Sequence, residues 1–271
     1  MRRLTRWIGD RFAMIAAVLV LLYLFLPVLY VFIFSFNDYR RNNLTWNSDA
    51  GPTLKHWANP CGAPGICEAL GNSLKVGLLA TLVATVLGTM IAIALVRYRF
   101  RGKGAGNMLV FVPMATPEIV LGASLLTIFV QGFSNVGLRL GFWTIVIAHI
   151  MFCLSFVVVT VRARLQSLDP RLEEAAQDLF AGPGETFMRV TLPLIMPGVA
   201  GAAMLAFSLS FDDFIITNFV SGATNTFPKF VYVSYLRGIP AQANVIGFSL
   251  FVIAVVLVVL GQRISMARAN P

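Results

Sequence analysis

The chain has 271 residues, of which 58% are hydrophobic and only 12% charged, with a mean hydropathy of +0.79. So few charges cannot solvate a globule of this size, which argues against a soluble enzyme. The 21 Lys and Arg against 12 Asp and Glu give a net charge of +9; two histidines and three cysteines are too few for a zinc site or a dense disulfide scaffold.

A helix needs about 20 apolar residues to cross a hydrocarbon core of about 30 Å. Six such runs predict an all-α membrane protein with one transmembrane domain: residues 12–36, 73–96, 107–131, 142–161, 197–220 and 244–262. The first is too long for the core of a cleaved signal peptide and is followed by no small-x-small site, so it is expected to stay as an anchor. Residues 37–72 are rich in Asn, Gly and Pro and carry Trp46, His56 and Trp57, the make-up of a partly ordered extracytoplasmic lobe. Within it, Cys61 and Cys67 are near enough to bridge in an oxidising compartment, although spacing alone does not fix the geometry.

The third run contains Pro113 and Pro117, which remove backbone donors and should kink or open the helix just before Glu118. In the fourth, His149 is expected to hydrogen-bond between helices and Cys153 to pack as a small apolar residue. Residues 162–196 read as helix, turn and helix at the membrane surface. Asp169-Pro170 starts the first, with Glu173 and Glu174 in the turn where the helix dipole favours negative charge. The stretch Ala181-Gly182-Pro183-Gly184 ends it, and a second amphipathic stretch, 185–192, is expected to stop at Pro193. In the fifth run Asp212 and Asp213 point about 100° apart on a helix of 3.6 residues per turn, with Ser208 and Ser210 nearby.

An even number of spans puts both termini on one side. Fourteen of the 21 basic residues lie in the two tails and in the second-third and fourth-fifth connections; the other seven are Arg40, Arg41, Lys55, Lys75, Arg139, Lys229 and Arg237. The positive-inside rule then places both termini in the cytoplasm, and the net charge reflects topology rather than nucleic-acid binding. A basic inner face also suits anionic lipid headgroups.

Only three acids fall within the runs: Glu118, Asp212 and Asp213. An Asp at the centre of a span costs about 2.5–3.5 kcal/mol on insertion scales, so these side chains should meet water or a ligand, and an anionic wall selects cations. The plainer reading makes them hydrogen-bonded acids that hold helices together. No G-x-x-x-x-G-K-[ST] phosphate loop is present, so the chain, read as a transport subunit, is expected to bind no nucleotide cofactor of its own. A self-contained cation channel is the alternative. An intramembrane enzyme ranks last for want of G-x-G-D, H-E-x-x-H or a paired Ser/Lys or Ser/His arrangement.

Glu174-Ala175-Ala176 followed by Val190-Thr191-Leu192-Pro193 resembles the EAA motif by which permease subunits of ABC importers dock onto their ATPases. The motif expects glycine where this chain has Phe180, which shifts the turn toward Gly182 or Gly184 as suppliers of a positive φ. Further segments resemble the spermidine/putrescine (PotC-type) permease family: Arg97-Tyr98-Arg99-Phe100-Arg101-Gly102-Lys103, Pro117-Glu118-Ile119-Val120, Gly141-Phe142-Trp143, His149 with Phe152-Cys153-Leu154, Phe156 to Val161, and Leu209-Ser210-Phe211-Asp212-Asp213. The resemblance implies a type I importer permease moving a polyamine by alternating access. Its implied partners are a second, related permease, two ATPase subunits and an extracytoplasmic polyamine-binding protein. It assigns Trp57, Glu118, Ser210, Asp212 and Asp213 to the substrate pathway. Glu174, Ala175, Ala176, Asp178, Gly182, Leu192 and Pro193 are assigned to ATPase coupling. A permease for another organic cation or other small solute is the remaining alternative.

Overall fold

The structure, a computed structural model, describes residues 2–38, 45–48, 51–132, 137 and 139–269. Arg40, Arg41 and Asp49 of the outer lobe lie outside the described residues. In chain order the helices are α1 (Arg2–Phe34), α2 (Lys55–Ala58), α3 (Ile66–Arg97), α4 (Lys103–Ala115) and α5 (Glu118–Thr127), which runs into a π-helical turn, Ile128–Gly132. Then come α6 (Phe142–Gln166), α7 (Arg171–Asp178), α8 (Pro183–Thr186), a second π turn at Phe187–Thr191, α9 (Leu192–Asp212), α10 (Ile215–Val220), α11 (Phe227–Arg237) and α12 (Ala241–Ala269). Strand pairing among the described residues is limited to one antiparallel bridge, Asn37 with Pro52. Among the described residues, five helical stretches are long and apolar enough to cross a membrane, and α4 with α5 makes a sixth if that bent pair is one span.

The chain divides into two compact units, Met1–Cys67 with Val231–Pro271, and Glu68–Phe230. In the first, α1 and α2 both pack on α12, and their seam is aromatic. The Phe32 and Phe248 rings lie 4.7 Å apart, and Trp57 stacks on Phe36 at 5.8 Å and meets Phe248 edge-on at 6.2 Å. The Trp57 indole Nε1 donates to Ser35 Oγ at 3.0 Å, giving the buried end of the ring its polar partner. Cys61 and Cys67 form a disulfide with a Cα–Cα distance of 5.4 Å, closing the turn that enters α3. From Phe12 to Ile33 most of the α1 surface is exposed and apolar, the reverse of a water-soluble helix.

The second unit is built around α6, the most enclosed of the spanning helices, which packs against α4, α9 and α10. Small residues let the backbones approach. Ala80, Ala84, Gly88 and Ala92 form a buried stripe on α3, and a Cβ added at Gly88 would lie 2.6 Å from Val157 Cγ1 of α6. Polar bonds tie the end of α6 to its neighbours. Arg162 donates to Asn107 Oδ1 at 2.8 Å, and Arg164 to the Leu194 carbonyl through Nε at 3.1 Å and through a terminal nitrogen at 3.0 Å. Between α10 and α11, Lys229 Nζ donates to Ser221 Oγ at 2.7 Å and to the carbonyls of Gly222 and Thr224; burial there lowers its pKa from the ordinary lysine value.

One segment follows the sequence expectation and two depart from it. Residues 107–131 open just before Glu118, as the proline pair predicts: α4 and the α5 stretch meet at 106°. Pro117 lacks the N–H that would reach the Pro113 carbonyl, and it forces Thr116 into an extended conformation at φ −80°, ψ 129°. Residues 197–220 are broken at Asp213, also extended at ψ 121°, leaving α10 as a separate short helix. Finally, Pro193 ends nothing. The helical stretch from Pro183 continues through the π turn into α9 as far as Asp212, so 185–192 is the root of the fifth span rather than a second surface helix. Pro193 lies just after the π turn, where the regular ladder is already interrupted.

Candidate functional site

Both helix breaks carry acids. Glu118 opens α5 and is exposed, its charge at the end where the helix dipole favours it. Asp212 closes α9, also exposed, while the next residue, Asp213, is buried. α5 packs on α10, so closely that a Cβ added at Gly122 would lie 2.6 Å from the Phe219 ring. The element following each break is therefore packed against the element following the other.

The adjacent aspartates do different work. Asp213 Oδ1 accepts the Ile216 N–H at 3.3 Å and Oδ2 the Thr217 N–H at 2.8 Å, satisfying orphan donors in the first turn of α10. His149 Nε2 from α6 faces Asp213 Oδ2 at 3.2 Å and Thr217 Oγ1 at 2.9 Å, and its Nδ1 faces Ser210 Oγ at 2.7 Å. One histidine thus binds the last turn of α9, the break and the first turn of α10. Ser210 and Asp213, both assigned to the pathway from sequence, have these polar atoms engaged inside the protein; Glu118 and Asp212 present theirs outward. Trp57 is held in the aromatic seam by Ser35. His149 carried the signal of an intramembrane imidazole, but its partners lie about 60 residues along the chain, beyond the reach of local pattern.

The coupling segment is organised by a helix end. Asp169 Oδ1 accepts the Arg171 N–H at 3.0 Å where α7 begins. At the other end Phe180 N–H donates to the Gln177 carbonyl at 2.9 Å and Ala181 N–H to the Ala176 carbonyl at 3.1 Å, the paired bonds of a Schellman motif. Phe180 occupies its left-handed position with φ +62°, the only positive φ outside glycine among the described residues. The turn is thus made where the motif expects glycine, and not later: Gly182 is extended at φ −66°, ψ 161°. Phe180 is 97% exposed and Leu179 82% exposed; Glu174, Ala175, Asp178, Gly182 and Pro193 are exposed as well, with Ala176 and Leu192 half-buried. Glu173 turns inward, accepting on Oε1 from Arg97 and from Thr191 Oγ1, each at 2.7 Å. The sequence marked Glu173 only as a first-turn acid.

Residues 84–267 match the family described as binding-protein-dependent transport system inner membrane component. The chain belongs to this family. It is 36% identical over 249 residues to the spermidine/putrescine transport system permease protein PotC of Escherichia coli (strain K12), covering 92% of this chain and 91% of that one. It is 36% identical over 226 residues to the putrescine transport system permease protein PotI of the same strain, covering 82% and 79%. Among solved structures, a bacterial alginate ABC transporter in complex with an alginate pentasaccharide-bound periplasmic protein matches with a TM-score of 0.71 at 18% identity, over 97% of this chain and 96% of that one. At that identity the likeness is one of fold, the type I importer permease fold. The chain is accordingly a non-catalytic inner-membrane permease subunit of an ABC transport system.

Proposed function

We propose that the chain is the permease subunit of a polyamine importer and that its cargo is a flexible cation of the spermidine or putrescine type. The observation that carries this reading is the near full-length similarity to permeases of that class joined to two outward-facing acids at helix breaks. A polyamine has ammonium groups separated by methylenes, so a passage for it needs separated carboxylates and little positive charge. Glu118 and Asp212 supply the first, in backbone breaks of the kind that survive at membrane depth only when packed or lining a cavity.

With both termini in the cytoplasm, α7 and the exposed Leu179-Phe180 tip face the ATPase. The partners are a second permease, two ATPase subunits that bind ATP and Mg²⁺, and an extracytoplasmic binding protein that delivers cargo. Closure of the ATPase pair moves α7, and the breaks at Glu118 and Asp212 are opened first outward and then inward.

Co-expression with the neighbouring subunits, purification and reconstitution with the binding protein tests this directly. ATP hydrolysis should be stimulated by the protein loaded with spermidine or putrescine. Stimulation by sugars or anions alone would remove the polyamine assignment; cation current through the isolated chain without ATP would replace the importer with a channel.

A further inference from the structure

Glu173 is set apart from the other acids of its helix. Glu174 and Asp178 are exposed, whereas the side chains of Glu173 and Arg97 are only 22% and 24% exposed, and Thr191 is buried. The nearby pair Glu185–Arg189, at 2.8 Å, has its side chains 46% and 79% exposed, and such a pair contributes little. The enclosed pair is less screened by salt.

A single carboxylate oxygen therefore connects three elements. Arg97 is the last residue of α3, Thr191 the last of the π turn before α9, and Glu173 lies in the first turn of α7. From Thr191 the 21 residues of α9 lead to Asp212, about 32 Å at 1.5 Å per residue. The oxygen thus links α7 to the root of a helix whose far end is the acidic break. Arg97 Nε is buried with no protein hydrogen-bond partner; a two-point pairing in which it also reached Glu173 would give it one.

We propose that Arg97, Glu173 and Thr191 form the joint through which movement of the coupling helix is transmitted to α3 and α9. Glu173 is a positioning residue that acts through Thr191 and Arg97, distinct from the exposed face that receives the ATPase. The proposal rests on reading α7 as that receiving surface.

The test uses the full importer, reconstituted with its binding protein, carrying Arg97→Gln, Glu173→Gln, Thr191→Val or the exchanged pair Arg97→Glu with Glu173→Arg. Three quantities are measured: ATPase retained on co-purification, ATP hydrolysed, and radiolabelled spermidine taken up per ATP. The single variants should retain the ATPase and keep hydrolysing ATP while uptake per ATP falls roughly tenfold, equivalent to about 1.4 kcal/mol. The exchanged pair should recover part of that loss, which a general packing defect would not. Unchanged uptake per ATP in Glu173→Gln with the ATPase retained overturns the joint and leaves docking intact. Loss of the ATPase from Glu173→Gln overturns it differently, making Glu173 part of the docking face. Failure of the unmutated chain to retain any ATPase overturns the docking reading, and the joint with it.

Discussion

His149 Nε2 lies 3.2 Å from Asp213 Oδ2, and the two side chains are 1% and 4% exposed. Removing one partner leaves the other's polar atoms buried and unsatisfied, at a cost of about 1–3 kcal/mol for each group. His149→Ala should therefore lower the melting temperature of the detergent-solubilised subunit and its level in the membrane. Asp213→Asn keeps an acceptor for α10 and should be milder. Asp212→Asn, one residue away, should leave both quantities at the unmutated value. Equal destabilisation by Asp212→Asn and Asp213→Asn, followed by thermal unfolding, would erase the division of labour between them.

The outward acids should affect transport rather than folding. A unit charge about 4 Å from a cation contributes on the order of 1 kcal/mol even at the dielectric of water. Glu118→Gln and Asp212→Asn should each raise the KM for spermidine uptake several-fold, and the double variant should raise it further. Membrane abundance should stay constant across the set. Initial-rate uptake in vesicles containing the full complex measures this, and an unchanged KM in both single variants would place the cargo elsewhere.

Much of this arrangement could be read from sequence, because the bilayer imposes a coarse pattern. Apolar runs, the proline pair ahead of Glu118 and the Asp169-Pro170 helix start all follow from local chemistry. The details that were not legible are those set by tertiary partners. Pro193 resembles a stop signal, yet the helical stretch runs on through the π turn into α9. Nothing local to Ser210 and Asp213, which the family resemblance assigns to the pathway, shows that a histidine from another helix bonds both. Glu173 and Glu174 are neighbours of one residue type in one helical turn, and only the position of Arg97 separates their roles.

The bond between Cys61 and Cys67 offers a check on orientation. Both thiols are consumed in the disulfide, and Cys153 is buried, so a membrane-impermeant maleimide should label intact cells little before reduction. After mild reduction with an impermeant phosphine, labelling should appear at Cys61 and Cys67 from the outer side, as the charge distribution of the loops requires. Labelling from the cytoplasmic side alone, in inverted vesicles, would reverse the topology. Opening so short a loop should also release roughly 2 kcal/mol of chain-entropy stabilisation in the closing-loop picture, visible as faster hydrogen exchange at the start of α3.

Phe180 separates the requirement for a turn from the requirement for a side chain. Its φ of +62° costs a non-glycine residue about 1–2 kcal/mol, and an apolar ring 97% exposed to solvent recovers none of that within this chain. Phe180→Gly should make the end of α7 more stable, measured as slower amide exchange at Phe180 and Ala181, whose N–H groups close the Schellman turn. If the ring is retained for contact with the ATPase, the same substitution should weaken ATPase retention and uptake even though the helix end is better formed. Phe180→Leu, which keeps an apolar side chain and the strain, should retain more of both. A Phe180→Gly variant that holds the ATPase as firmly as the unmutated chain would leave the ring without a role at that interface, and the strained turn would then need another explanation.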